Sequence, residues 1–237
     1  MKISIIGAGN IGKILATKFV KLGHHVSVAN SRGPEILADF AKETGAIVLD
    51  VHEVVKKGEL IIIAIPENKI KDLPKNLFQN VLDSVVVIDT GNYFPIFNGH
   101  ISELDECPID SLYVQKSIGT SIIKAFNNLS AEDLKNGGRA IDDSERFALP
   151  MAGDDEKAKE IVMQLVNELG FDFYNQGKLS DSWRQQPGTS VYCTNLKLEA
   201  IGNAFDTMGK EWAPEFGKQL SKIRDRAIEV YLKNLQG

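Results

Sequence analysis

Short apolar runs rich in β-branched residues alternate along the chain with segments whose apolar residues recur at helical spacing. The first run, residues 3–6, ends at a glycine, and the next segment forms one apolar helical face from Ile11, Leu15, Phe19 and Leu22. Gly23 ends this predicted helix, and a second strand is predicted at residues 26–29. A strand, a helix and a strand within about 30 residues predict a βαβ unit with parallel strands.

The same alternation continues to about residue 177. Pro34 opens a predicted helix that Gly45 closes, and Asp154 or Asp155 caps another that ends at Gly170. Further strands are predicted at residues 46–49, 60–65, 85–88, 122–126, 147–152 and, as an edge strand, 171–174. Buried strands with helices between them predict an α/β fold, a Rossmann-type doubly wound parallel sheet.

Beyond this sheet the pattern changes to a turn at residues 186–188 followed by two helical stretches. The last stretch aligns seven apolar residues: Phe216, Leu220, Ile223, Ala227, Val230, Tyr231 and Leu235. We therefore predict a Rossmann domain at residues 1–177 and a small C-terminal helical region at residues 178–237 for substrate binding or dimerisation. The stripe can pack within one protomer or across a twofold axis, and the expected assembly is a homodimer.

Composition and charge indicate a small-molecule partner. The 237 residues are 43% hydrophobic with a formal net charge of −5, which gives no electrostatic reason to expect nucleic acid or an anionic membrane. No apolar run approaches the roughly 20 residues that span a bilayer. Cys107 and Cys193 fit no metal-ligand spacing, so we expect reduced thiols, no metal and a cytoplasmic location.

A glycine-rich turn carries the first functional prediction. Gly7, Gly9 and Gly12 form a GxGxxG pattern directly after a predicted strand, and Asn10 and Ile11 open the helix that follows. Gly7 allows the tight turn, Gly9 leaves room for a pyrophosphate, and Gly12 lets the helix pack closely on the strand. The free amides at the helix N-terminus then hold the phosphates, so the segment predicts a bound dinucleotide.

The end of the second predicted strand favours NADP(H) over NAD(H). An NAD site places Asp or Glu about 20 residues after the glycines, whereas this chain has Asn30, Ser31 and Arg32. A hydroxyl and a guanidinium suit a 2′-phosphate, which an acid would repel. The alternative is that Arg32 is only a solvated loop charge.

Three turns at the carboxyl ends of later strands should wall the nicotinamide pocket. They occupy residues 65–68, 89–92 and 124–128, and the candidate contacts are Ile65, Pro66, Ala125 and Asn127. The alternative for each is simple turn chemistry. Lys124 is a weak catalytic candidate, a proton donor to a carbonyl or imine, and its alternative is a strand-edge lysine with its amine in solvent.

These motifs occur together in one known family. The glycine turn, residues 30–34, residues 124–127 and residues 153–155 resemble the NADPH-dependent reductases of the deazaflavin coenzyme F420, and are similar to the oxidoreductase domain of the STEAP metalloreductases. The resemblance covers roughly residues 1–180. It implies pyrophosphate contacts at residues 9–12, 2′-phosphate contacts at Ser31 and Arg32, and nicotinamide contacts at Pro66 and Ala125. It also implies a dimer and hydride transfer to a flavin-like ring.

The predicted function is therefore an NADP(H)-dependent oxidoreductase. Its acceptor is a small flavin-like or otherwise conjugated molecule, with a flavin or coenzyme F420 as the second substrate, and the chemistry relies on positioning more than on acid–base groups. Two alternatives stay open. One is a non-catalytic NADP(H)-binding sensor, and the other is an imine or carbonyl reductase of the pyrroline-5-carboxylate reductase type.

Overall fold

The computed structural model describes residues 1–106, 109–209 and 222. Within them the strands are β1 (Lys2–Ile6), β2 (His25–Ala29), β3 (Ile47–Val48), β4 (Leu60–Ile63), β5 (Val86–Asp89), β6 (Ile123–Lys124), β7 (Ala148–Ala152) and β8 (Asp172–Gly177). The helices are α1 (Asn10–Lys21), α2 (Ala38–Thr44), α3 (Val51–Lys57), α4 (Pro95–Asn98), α5 (Ser102–Glu106), α6 (Asp110–Ile118), α7 (Ala131–Asn136), α8 (Glu156–Glu168) and α9 (Leu198–Met208). Short 3₁₀ helices span Pro34–Leu37, Glu67–Asp72 and Leu179–Gln185.

All eight strands form one sheet in the order β3-β2-β1-β4-β5-β6-β7-β8. The neighbouring strands are parallel except β6 and β7, which pair antiparallel through Lys124 and Ala152. The strand order reverses between β1 and β4, so a crevice for a ligand lies outside the carboxyl ends of these two strands. The predicted Rossmann-type doubly wound sheet is confirmed, with one antiparallel pair added.

Helices cover both faces of the sheet and bury alternate strand residues. On one face Ile3 and Ile5 of β1 pack with Phe19 of α1 and with α8, and on the other face Ile6 packs with α3 and α6. Strands buried on both faces have no polar alternation. This is why β4 reads as the continuous apolar run Leu60–Ile63 in the sequence.

Several element ends differ from the predictions by a few residues. The predicted strand at residues 122–126 shrinks to β6, and Phe126 takes a positive φ of 63° as the chain turns away. The helix predicted after Pro34 begins as a 3₁₀ turn and becomes α2, which ends at left-handed Gly45. Asp155 is the residue that caps α8, since its carboxylate accepts from the Ala158 amide at 3.1 Å.

The described part of the C-terminal region packs on the edge of the sheet. Ile201 and Phe205 of α9 are buried against Ala148, and Phe205 stacks on Tyr174 of β8 with ring centroids 5.0 Å apart. The seven apolar residues of the predicted stripe, and Cys107, lie outside the described residues. The separate C-terminal region and the homodimer stay predictions. In the part of the chain that the structure covers, no helix is long and apolar enough to cross a membrane.

Candidate functional site

The glycine turn between β1 and α1 has room for side chains at only one of its three glycines. A Cβ on Gly7, whose φ is +113°, would lie 2.2 Å from the Ala64 carbonyl oxygen, and one on Gly12 would lie 2.0 Å from that of Gly7. Within the described residues, a Cβ on Gly9 would meet nothing within 4 Å. The turn is therefore tightly packed at Gly7 and Gly12 and open at Gly9.

The first turn of α1 can receive an anion. Gly9 occupies the N-cap position and has no side chain to accept hydrogen bonds from the first helical amides, which belong to Asn10, Ile11 and Gly12. The Gly7 amide donates to the Ala29 carbonyl at 2.9 Å and so fixes the turn against β2. Uncapped amides and the positive end of a 12-residue helix dipole attract phosphate.

A cleft of about 390 Å³ opens at the point where the strand order reverses. It brings together most of the residues predicted to bind cofactor: Gly7, Gly9, Asn30, Ser31, Arg32, Ile65 and Pro66. The cleft is also lined by residues that the sequence patterns do not indicate: Val51, Lys69, Asp72, Leu73 and Pro74. These residues gave no signal because they belong to no local motif and meet the cleft only through the tertiary fold.

The charges in this cleft favour an anionic ligand. Ser31 and Arg32 are exposed, and the Arg32 amide donates to the Asn30 side-chain oxygen at 3.0 Å. The Asn30 side-chain nitrogen is buried and has no hydrogen-bond partner among the described residues. Lys69, which also lines the cleft, pairs with Asp72 at 2.9 Å; both are largely exposed, and the pair neutralises the one carboxylate among the described lining residues.

Ala125 and Asn127 lie below the surface and do not line this cleft. Ala125 is fully buried, and the Asn127 side-chain nitrogen donates to Asn92 Oδ1 at 3.0 Å and to the Gln185 carbonyl at 2.9 Å. Its oxygen accepts from Gln185 Nε2 at 2.7 Å. Asn127 therefore ties the segment around Gln185 to the carboxyl end of the sheet, and a cofactor contact by either residue stays a prediction.

Lys124 lies in the interior, so the alternative that its amine is in solvent is wrong. The side chain is fully buried at the end of β6, and Nζ donates to Asp89 Oδ2 at 2.8 Å and to the Gly91 carbonyl. Burial opposes its charge, but the carboxylates of Asp89, Glu67 and Asp110 raise the pKa of Lys124 above its ordinary value. The amine is thus held as an ammonium by an aspartate 35 residues away in sequence.

Glu67 and Asp110 complete a group of buried ionisable residues that we call the buried charge cluster: Glu67, Asp89, Asp110 and Lys124. Asp89 also accepts from the Ser111 hydroxyl at 3.1 Å, and Asp110 accepts from the Tyr93 amide at 2.9 Å. Glu67 is 1% exposed, and neither carboxylate oxygen has a hydrogen-bond partner in residues 1–106, 109–209 or 222. Burial raises the pKa of Glu67 well above its ordinary value despite the nearby charge of Lys124.

A second cleft, of about 460 Å³, lies on the outer side of α1 and is lined by four lysines, Lys13, Lys18, Lys21 and Lys135. It is far from the switch point in the topology, and no residue of the glycine turn lines it. The smaller cleft is therefore the candidate cofactor cleft. In the described part of the chain, no three His, Cys, Asp or Glu side chains are grouped to hold a metal ion.

Comparisons with known proteins show what this chain is similar to. Residues 2–93 match the family described as NADP oxidoreductase, coenzyme F420-dependent. The rat metalloreductase STEAP3 is 26% identical over 181 residues, which are 76% of this chain and 35% of that protein. The chain spans less than half the length of the curated relatives that it matches first.

Two solved structures share the fold. The hypothetical protein SMa0349 from Sinorhizobium meliloti has a TM-score of 0.69 and 27% identity, over 83% of this chain and 95% of its own. A candidate F420-dependent NADP reductase from Arthrobacter sp. FB24 has a TM-score of 0.65 and 22% identity, over 77% and 87%. The matched residues 2–93 contain the glycine turn, Arg32 and Pro66. Over these residues the chain is similar to the oxidoreductase family described as coenzyme F420-dependent NADP oxidoreductases.

Proposed function

We propose that this protein is an NADP(H)-dependent oxidoreductase that transfers hydride between NADPH and a flavin-like or otherwise conjugated small molecule. The observation that carries the proposal is the cleft itself. It joins the glycine turn, the Ser31 and Arg32 side chains and the wall after β4 at the switch point of the sheet. Open α/β sheets bind nucleotides at this point.

The residues of the cleft fit a dinucleotide. The open space at Gly9 and the uncapped amides of α1 suit the pyrophosphate, and the unpartnered Asn30 side-chain nitrogen suits a ligand oxygen. Ile65 and Pro66 lead toward the nicotinamide end. When bound, the cofactor supplies a hydride. The protein's part is to hold the ring, to orient it against the acceptor and to exclude water.

The preference for NADPH over NADH rests on positive charge at the far end of the cleft. Arg32 and Ser31 stand where an NAD-binding chain has an acid, and a guanidinium can bind a phosphate through two parallel hydrogen bonds. Lys69 also lines the cleft and can exchange its ion pair with Asp72 for the 2′-phosphate.

The acceptor is proposed from the family and from the character of the site. The family description names coenzyme F420, a deazaflavin, and STEAP3 is named a metalloreductase. The described lining of the cleft offers one carboxylate, Asp72, and that carboxylate is ion-paired, so the lining itself positions the rings and supplies no free acid. We also propose a homodimer and a cytoplasmic location.

The test is a fluorescence titration of the wild type and Arg32→Ala with NADPH and NADH. Losing a charge-assisted hydrogen bond costs about 1.5–3 kcal/mol, so NADPH should bind roughly 10-fold to 100-fold more weakly to Arg32→Ala, with NADH unchanged. Lys157→Ala removes an exposed cation on α8 outside the cleft and should leave both affinities unchanged. Equal affinity of the wild type for the two nucleotides would contradict NADP specificity.

A screen of acceptors follows the titration, using FMN, menadione and coenzyme F420 with NADPH. Turnover of any ring acceptor supports the proposed enzyme. Tight NADPH binding without turnover supports the alternative of a sensor. Turnover of a cyclic imine instead of these rings supports the reductase alternative.

A further inference from the structure

Glu67 is the one member of the buried charge cluster whose carboxyl group lacks a hydrogen-bond partner among the residues that the structure describes. Asp89 is bound by Lys124 and Ser111, and Asp110 is bound by the Tyr93 amide. Both oxygens of Glu67 are enclosed and unpartnered. Buried polar groups in folded proteins nearly always have a partner, so this carboxyl group is a candidate for a functional role.

The surroundings of Glu67 assign it a proton. Lys124, the ammonium of the cluster, is hydrogen-bonded to Asp89, and Glu67 receives no hydrogen bond from the described residues. An ionised Glu67 would be a buried charge without a hydrogen bond, which is strongly unfavourable. Glu67 lacks the hydrogen bonds that would stabilise its ionised form, so it is the carboxyl that holds the proton. Its raised pKa, caused first by burial, agrees with this.

Glu67 lies next to the cleft of the glycine turn, although it is not among the residues that line that cleft. It directly follows Pro66, which lines the cofactor cleft, and it lies at the carboxyl end of β4 beside those of β5 and β6. A Cβ on Gly91 would lie 2.3 Å from Glu67 Oε1, so the carboxyl group packs directly against this glycine of the neighbouring turn. The chain therefore keeps a carboxyl group beside the predicted nicotinamide end of the cleft.

We propose that Glu67 is the proton donor of the reaction, a neutral carboxylic acid that protonates the acceptor as the acceptor receives hydride. This inference rests on the proposed function. The hydride leaves NADPH with both electrons of its C–H bond and forms a new bond on the acceptor. The Glu67 O–H bond breaks, and its proton goes to the acceptor's oxygen or nitrogen. The products are NADP⁺, the reduced acceptor and a Glu67 carboxylate, which solvent reprotonates.

Lys124 has a positioning role in this step. Its positive charge lowers the pKa of Glu67 and so stabilises the carboxylate that remains after proton transfer. The other titratable or charged groups around Glu67 come from its own 3₁₀ helix, from β5, from α6 and from the segment after the Leu179–Gln185 helix: Lys69, Lys71, Asp72, Asp89, Asp110, Tyr113 and Tyr192.

The first test observes the proton directly. Infrared spectra at pH 7 of the wild type and Glu67→Gln should differ by the C=O band of a protonated carboxyl group, which the variant loses. Glu160→Gln removes an exposed carboxylate on α8 and should keep the band. If the wild type and Glu67→Gln show the same protonated-carboxyl signal, Glu67 is ionised and the proposal is overturned.

The second test separates proton donation from hydride transfer by using two probes. Menadione needs a hydride and a proton, whereas the N-methylacridinium cation takes a hydride alone. We expect Glu67→Gln to reduce menadione roughly 100-fold more slowly, the typical size of general acid catalysis, with N-methylacridinium reduction and NADPH affinity unchanged. The wild-type rate with menadione should fall as pH rises through the Glu67 pKa, and the variant should lack this step.

The outcomes distinguish this inference from the proposed function. If the wild type does not bind NADPH, the proposed function fails and the inference fails with it. If NADPH binds and menadione is reduced equally well by the wild type and Glu67→Gln, only the proton-donor role is overturned. If Glu67→Gln reduces menadione and N-methylacridinium with equally lowered rates, Glu67 has a structural role, and the proton-donor role is overturned. A wild type that binds NADPH but reduces neither probe has no step that needs the proton, which again overturns the role.

Discussion

The cofactor cleft and the buried charge cluster lie side by side at the carboxyl edge of one sheet, yet they are built in opposite ways. The cleft is formed by short local segments that leave backbone amides, a hydroxyl and a guanidinium open to solvent. The cluster takes one residue from each of four separate segments and encloses them completely. From this contrast we expect ligand binding in the cleft to depend on the backbone and side-chain groups that are open to solvent. The stability of the cluster depends instead on how its charges are compensated in the interior.

The largest expected effect comes from removing the ammonium of the cluster. Lys124→Met keeps most of the side-chain volume but leaves Asp89 buried without its cation, which typically costs about 3–5 kcal/mol. The free energy of unfolding from urea denaturation should fall by that amount. Lys157→Met, on the exposed surface of α8, should change it little. A stable Lys124→Met would show that the Asp89–Lys124 pair is not needed to hold the strand ends.

The sequence predicts the geometry of the cleft but not that of the cluster. Gly7 and Gly12 are predictable because each has a local steric task, and Arg32 is predictable because its position after β2 places it in the cleft. The sheet followed from apolar runs that are buried on both faces. In each case the information lies within a few consecutive residues, so a pattern in the chain suffices.

The buried charge cluster had no such signal. Glu67 stands in a Pro-Glu-Asn turn, a setting typical of an exposed carboxylate, and its burial appears only when Gly91 of another turn packs against it. The sequence singles out Lys124, but the alternative that places its amine in solvent is wrong. The amine is buried because it pairs with Asp89, which is 35 residues away in sequence and belongs to no local pattern. The burial of both side chains depends on residues that are distant in sequence, and local sequence patterns do not show such contacts.

The second prediction uses two glycines to separate packing from binding within the cleft. Gly12→Ala forces a Cβ against the Gly7 carbonyl, and overpacking of this kind costs about 1–3 kcal/mol of unfolding free energy. Gly9→Ala meets open space, so stability should stay within about 0.5 kcal/mol of the wild type while NADPH affinity falls. Thermal unfolding and an NADPH titration of both variants measure this. NADPH affinity that survives in Gly9→Ala would contradict a pyrophosphate at this glycine.

The remaining effect depends on pH and arises in the cluster. Because the pKa of Glu67 is higher in the folded than in the unfolded chain, the folded state binds more protons at pH values between the two. Its contribution to stability is therefore complete below about pH 4.5 and declines as pH rises toward the folded-state pKa, by at most about 1.4 kcal/mol per pH unit. Glu67→Gln lacks this decline, so its stability relative to the wild type should increase with pH.

Urea denaturation of the wild type, Glu67→Gln and Glu160→Gln at pH values from 5 to 8 measures this slope. Glu160 is exposed on α8, and its variant should follow the wild type at every pH. If Glu67→Gln also follows the wild type, the carboxyl of Glu67 ionises as readily in the folded chain as in the unfolded one. Glu67, Asp89 and Asp110 would then all be ionised in the folded chain beside Lys124. The cluster would no longer differ from the solvent-facing cleft by holding a proton on a buried carboxyl group.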